Sequence, residues 1–184
     1  MSRLTVYPDN QPENVILDTT DGNEISAELA KIGVHFERWE TQEILPAGAN
    51  DEDVMRAYAS DIERLQKENG YQSVDVIRMA PDHPQKDEMR EKFLSEHTHT
   101  EDEVRFFVEG AGVFYLRVAS DVFMTLCERG DLISVPENTR HWFDMGPDPS
   151  LTCIRLFTSK DGWVANYTGD DIADKFPKFE QKVA

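Results

Sequence analysis

Apolar and polar positions change their period near residue 97. Before that point, short alternating stretches mix with helical ones. Residues 5–7 and 14–19 predict an early hairpin, followed by a turn at Asp21-Gly22. Residues 23–31 predict a short helix ending near Gly33, and residues 36–40 a strand. The clearest helix spans 51–70, where Val54, Ala57, Tyr58, Ile62 and Leu65 recur at spacings of three and four. Gly70 is a natural stop for it. Residues 73–79 alternate and then run into Pro81, which predicts a strand. Residues 85–94 are charged with a few apolar anchors and predict a further helix.

From residue 97 the period becomes two. Residues 104–108, 112–118, 121–127, 131–135, 151–158 and 163–166 read as strands, punctuated by Gly, Asp and Pro. Many short strands with regular turns predict a small antiparallel barrel or jelly roll. The fold class is therefore mainly β with added helices. A length of 184 residues fits one domain: an α+β portion over 1–80, a barrel core over 81–170 and a charged surface tail over 171–184.

Composition narrows the partners. The formal net charge of −17 repels phosphate backbones, so nucleic acid is not an expected partner. No apolar run reaches the eighteen residues of a membrane span, and the polar N-terminus lacks a signal-peptide plan. Cys127 and Cys153 sit in apolar stretches, neither with a second cysteine at metal or redox spacing. They are expected as reduced, buried thiols of a cytoplasmic protein, and the protein as a monomer.

Three of the five histidines form a pattern with one glutamate. His97 and His99 stand two apart, so on a strand they face the same side. Glu103 keeps that parity, and His141 follows a proline turn far downstream. The spacing is H-x-H-x3-E-x6-G and then, nineteen residues on, G-x5-P-x4-H. A single histidine on a strand is usually a satisfied core or surface residue; the full spacing points to a metal site. Three imidazoles and a carboxylate leave two positions open on an octahedral ion, and such ligands suit iron, nickel, cobalt or manganese.

This two-part pattern resembles the cupin superfamily. It departs from it at Glu91, at Pro136-Glu137-Asn138 and at Met145, none of which touches the ligands. Asn138 replaces a glycine where positive φ is required. A narrower resemblance is to the acireductone dioxygenases. It rests on residues 27–39, on 51–78 with Ile62-Glu63-Arg64-Leu65 and Gly70-Tyr71, on Phe93-Leu94-Ser95-Glu96-His97-Thr98-His99, and on Glu103-Val104-Arg105-Phe106. It covers roughly residues 1–170.

The resemblance implies one iron(II) or nickel(II) ion held by His97, His99, Glu103 and His141. It implies as substrates O2 and the enediol 1,2-dihydroxy-5-(methylthio)pent-1-en-3-one, in methionine salvage. The iron form would give formate and 4-methylthio-2-oxobutanoate, the nickel form formate, carbon monoxide and 3-methylthiopropanoate. Arg105 shares the parity of Glu103 and is expected to meet a substrate oxygen; the alternative is an ion pair with Glu103. Phe93, Phe107, Phe143, Arg155 and Trp163 are candidates for the substrate pocket, and Glu96 for an acceptor to a ligand histidine. His35 and His83 lie outside the pattern. Two other readings stay open: another cupin oxygenase, and a non-catalytic cupin that binds a small molecule.

Overall fold

The computed structural model describes residues 1–39, 45–46, 49–159 and 164–180. Its elements in chain order are β1 (Arg3–Pro8), β2 (Leu17–Thr19), α1 (Gly22–Ala30), β3 (His35–Arg38), α2 (Asp51–Ala57), α3 (Ala59–Asn69), β4 (Ser73–Met79) and α4 (Lys86–Leu94). There follow β5 (His97–Thr98), β6 (Glu103–Val118), β7 (Asp121–Glu128), β8 (Asp131–Val135), β9 (Arg140–Asp144), β10 (Leu151–Phe157) and β11 (Asn166–Tyr167). A 3₁₀ turn, Ile172–Lys175, ends the series. The hairpin, the helix over 86–94 and the strand over 73–79 fall where the pattern places them. No helix among the described residues is long and apolar enough to cross a membrane.

Local chemistry explains the helix ends. Asp21 caps α1, its Oδ1 accepting from the amides of Asn23 and Glu24 at 2.9 Å each. Asn50 and Asp53 form a reciprocal capping box at the start of α2. The single helix expected over 51–70 is two helices, because Tyr58 leaves helical geometry at φ −108°, ψ 16°. Its ring wedges against Trp39 and Phe106, at centroid distances of 6.2 and 4.8 Å. The apolar face survives the break: Val54, Tyr58, Ile62 and Leu65 are all buried. Gly70 closes α3 in the left-handed region at φ 75°.

The strands form one antiparallel, mainly β system organised on β6. Its first part pairs with β8 and β10, and its second part with β7 and β9. Two strands had been expected where this one runs. Gly110 adopts φ 75° without ending the strand, and the β6–β10 register shifts two residues earlier, where Val108 is skipped between the Glu109–Thr152 and Phe107–Cys153 pairs. β1 and β2 extend one wing beyond β7, and β3 and β4 flank β8 and β10. The ladder is open: β2, β3, β4 and β11 each have one neighbour among the described residues. Of the strand expected over 163–166 only Asn166 is in a strand, β11; residues 164–165 are not in one, and Trp163 lies outside the described residues.

Three apolar clusters result. One, between the sheet wings, holds Leu4, Phe107, Phe114, Leu116 and Ile133 with the free thiols Cys127 and Cys153. Burial pushes the Cys153 thiol up to about 12, so it is a neutral core group. A second cluster packs α2 and α3 on the sheet. The third corrects an expectation. The segment after Gly169 is not a surface tail throughout, because Ile172, Ala173 and Phe176 are buried against Tyr7, Tyr115 and Trp142. Apolar area on the sheet's outer face outweighs the charges between those residues. The Tyr115 hydroxyl donates to the Pro177 carbonyl at 2.6 Å and pins the segment. Tyr115→Phe is expected to cost about 1 kcal/mol, mostly as local opening. Faster hydrogen exchange of the amides of residues 172–179, with the sheet unchanged, is the readout. Unchanged exchange there would remove this bond as the anchor.

Candidate metal centre

β5 is only two residues long, yet it pairs His97 directly with His141 of β9. His141 in turn lies opposite Leu116 of β6. The chain leaves the ladder after Thr98, turns through residues 99–102, and re-enters it at Glu103, the first residue of β6. The His99 carbonyl accepts from the Asn138 amide at 2.8 Å, and the Asp102 carboxylate from the Glu137 amide at 3.0 Å. Asn138 has φ 60°, the role expected of it in place of glycine. On the other side the Glu101 carboxylate accepts from Thr158 and Ser159.

Four potential ligand atoms, one each from His97, His99, Glu103 and His141, converge within 4.8 Å of one another. All four residues are at most 6% exposed. Each imidazole faces a backbone carbonyl through Nδ1: His97 that of Ser95 at 2.7 Å, His99 that of Val164 at 2.9 Å, His141 that of Thr139 at 2.8 Å. A carbonyl only accepts, so each Nδ1 carries a proton, and any of these rings when neutral presents an Nε2 lone pair. The Nε2 atoms of His99 and His141 lie 2.9 and 3.0 Å from Glu103 Oε2. Two lone pairs at that separation repel unless a proton or a cation lies between them. The donor set thus fits a divalent transition ion, with its tautomers set from outside.

The electrostatics agree. Burial, then the neighbouring His141, pushes the His97 imidazole down to about 4, so it is neutral at physiological pH. Burial opposes charge on Glu103, but Arg105 and the bonds from His141 and His99 outweigh it and hold the carboxyl well below its usual range. Burial likewise lowers His99, and Glu103 more than offsets it, for a net upward shift.

Arg105 makes the ion pair with Glu103 that was the alternative expected of it. Its Nε is 2.8 Å from Glu103 Oε1, and it lines the cavity together with His97, His99 and Glu103. The guanidinium carbon stands 4.5, 5.5 and 5.8 Å from the ring centroids of Phe143, Phe114 and Phe93. The cavity has a volume of about 520 Å³ and is walled by Phe93, Phe143, Phe157 and Tyr167. Arg155 lines it while bound to Asp75, Nε to Oδ1 at 2.9 Å and Nη2 to Oδ2 at 2.6 Å.

Two expectations fail. Phe107 is not a wall of this cavity; it is fully buried among the core residues between the sheet wings. Glu96 bonds no ligand histidine. It directly precedes His97 and its side chain meets Arg117 at 3.3 Å and the Thr168 hydroxyl at 2.8 Å, on the other side of the chain. Trp163 lies outside the described residues. His35 and His83 are remote from the site: His35 meets Glu37 at 3.2 Å, and His83 Nδ1 accepts from the Gln85 amide. Sequence reasoning missed Tyr167, whose ring lies 5.8 Å from that of His97 through the β5–β11 pairing. It also missed the three carbonyl acceptors, which no side-chain pattern encodes.

The model of the ARD/ARD' family matches residues 3–165. An acireductone dioxygenase of Parvibaculum lavamentivorans is 58% identical over 182 residues, covering 99% of each chain. One from Aquifex aeolicus is 55% identical over 183 residues, covering 100% of this chain and 99% of the other. A solved acireductone dioxygenase from Bacillus anthracis, with a cadmium ion in its active centre, matches with a TM-score of 0.82 at 31% identity. That match covers 91% of this chain and 98% of that one.

Proposed function

The chain belongs to the ARD/ARD' family, and on that premise we propose that it cleaves the enediol 1,2-dihydroxy-5-(methylthio)pent-1-en-3-one with O2 in methionine salvage. The observation that carries this reading is the convergence of three imidazoles and Glu103, of which His97, His99 and Glu103 line an aromatic-walled cavity. His97, His99, Glu103 and His141 would hold one iron(II) or nickel(II) ion. Such an ion supplies charge stabilisation for a bound enediolate and open positions for its adjacent oxygens. Nickel binds this type of ligand set more tightly than iron(II), so supply decides which is loaded. The iron form gives formate and 4-methylthio-2-oxobutanoate; the nickel form gives formate, carbon monoxide and 3-methylthiopropanoate.

The protein's own groups orient the substrate and exclude water. Arg105 neutralises Glu103 and sets its positive charge at the cavity wall, where it favours an enediolate oxygen, with Phe93, Phe114 and Phe143 around its guanidinium. Phe93 and Phe143 line the cavity and suit the methylthio tail. Arg155 and the Asp75 carboxylate that holds it both line the same cavity. The chain acts as a single domain and a monomer in the cytoplasm, where its two buried thiols stay reduced.

The test is direct. Metal-free protein reloaded with iron(II) or nickel(II) is mixed with the enediol in oxygenated buffer. Loss of the enediol absorbance with formate release is expected from both forms. Absence of turnover with either metal would overturn the assignment.

A further inference from the structure

The β6–β10 ladder pairs Arg105 with Arg155 and Val104 with Leu156. Continued in the same register, it sets Glu103 against Phe157, Asp102 against Thr158 and Glu101 against Ser159. The backbone pairing stops at Val104, because residues 99–102 turn away to carry His99 beside His141. Beyond the end of β10, the amides of Thr158 and Ser159 then need an acceptor other than the β6 backbone.

The Glu101 side chain supplies it. Its Oε2 accepts from the Thr158 and Ser159 amides at 2.9 and 3.1 Å and from the Thr158 hydroxyl at 2.7 Å. Its Oε1 accepts from the Ser159 hydroxyl at 3.0 Å. One carboxylate thus takes four donors from two consecutive residues, at the register position where the ladder would have continued. It sits midway between His99 and Glu103, in the turn that separates them.

We infer that Glu101 is a positioning residue of the metal centre: it fastens the turn bearing His99 and Glu103 to the end of β10, and so holds these two side chains at their separation. This rests on the reading of His97, His99, Glu103 and His141 as ligands. The opposite edge of the turn is already tied to residues 137–138. With Glu101 released, the turn hangs from one edge, and the 2.9 Å approach of His99 to Glu103 loses its second support.

Glu101→Gln keeps the size of the side chain but turns an N–H₂ group toward donors. Thr158→Val with Ser159→Ala removes two of the four bonds from the other partner. Nickel(II) affinity of the full chain is measured by competition with a chelator, cobalt(II) coordination by its visible spectrum, and the Tm of the metal-free proteins by calorimetry. Glu101→Gln is expected to weaken nickel(II) by about 10-fold, within the range for groups that orient ligands, and to shift the cobalt(II) bands. The metal-free Tm should fall by only a few degrees. The double variant should weaken nickel(II) in the same direction, and it decides the matter if Glu101→Gln does not fold. Wild-type nickel(II) affinity and cobalt(II) bands in the variants, even with a lowered Tm, would make Glu101 merely structural and overturn the inference. Failure of the unsubstituted protein to bind nickel(II) would instead remove the ligand reading itself, and this inference with it.

Discussion

Glutamine in place of Glu103 is expected to yield a protein that holds no divalent ion through desalting and releases no formate from the enediol. Glu103 is 2% exposed and is the acidic member of the four-residue cluster. Its Oε2 lies within 3.0 Å of two imidazole nitrogens, and its Oε1 lies 2.8 Å from Arg105. Burial disfavours its charge, yet Arg105 and the two histidines hold the carboxyl well below the usual range, so it is ionised at neutral pH. An amide keeps the volume and removes the charge. Two losses follow. The ion loses its anionic ligand, which should cost more than the roughly 10–100-fold in affinity seen when only an orienting group is removed. The Arg105 guanidinium also loses the buried carboxylate 2.8 Å from its Nε, which should destabilise the metal-free fold by about 3 kcal/mol. The aromatic faces of Phe93, Phe114 and Phe143 offset about 1 kcal/mol of that. Metal per chain by elemental analysis and formate release together decide it. A variant that keeps one ion and wild-type turnover would remove Glu103 from the ligand set.

Gly110→Ala is expected to be the most damaging single methyl group in the sheet. The residue has φ 75°, where a Cβ costs about 1–2 kcal/mol. That Cβ would also stand 1.8 Å from the Ser150 carbonyl oxygen and 2.8 Å from Leu151 Cα. Both are backbone atoms at the start of β10, paired with Gly110 itself, so no side chain can swing aside. Relieving the clash means breaking the first rungs of the β6–β10 ladder, an overpacking cost of about 1–3 kcal/mol. The sum is about 2–5 kcal/mol, a large part of the stability of a marginally stable domain. Gly70→Ala is the control. It has the same φ of 75° but open space around the added carbon, so only the backbone cost of about 1–2 kcal/mol applies. Urea unfolding of both variants gives the comparison. Equal midpoints would show that the β6 bend relaxes freely and that the steric account is wrong.

The strands and the ligand set were legible because both follow from short-range geometry. Alternation along an extended chain assigns faces for the strands; His97, His99 and Glu103 lie within seven residues, although a turn through 99–102 and not strand parity brings them together. The spacing to His141 was legible as a motif, although no local rule brings it across the sheet. The β6 bend was misjudged because a glycine flanked by alternating strands is consistent both with a turn and with a left-handed kink inside one strand. The surface tail was misjudged for a related reason. Three apolar residues among charges become a packing face only once Tyr7, Tyr115 and Trp142 are assembled to receive them.

The chain's own pattern thus dictated most of the strands and helices and the local cluster of His97, His99 and Glu103, since those depend on spacings of a few residues, and it marked His141 by motif alone. The folded arrangement settled who meets whom. Phe93 from α4, Phe114 from β6 and Phe143 from β9 gather around Arg105, while Glu96 turns to Arg117 and Phe107 retreats into the core. Contact energies depend on distance through space, and distance along the chain does not report that when three separate elements must converge.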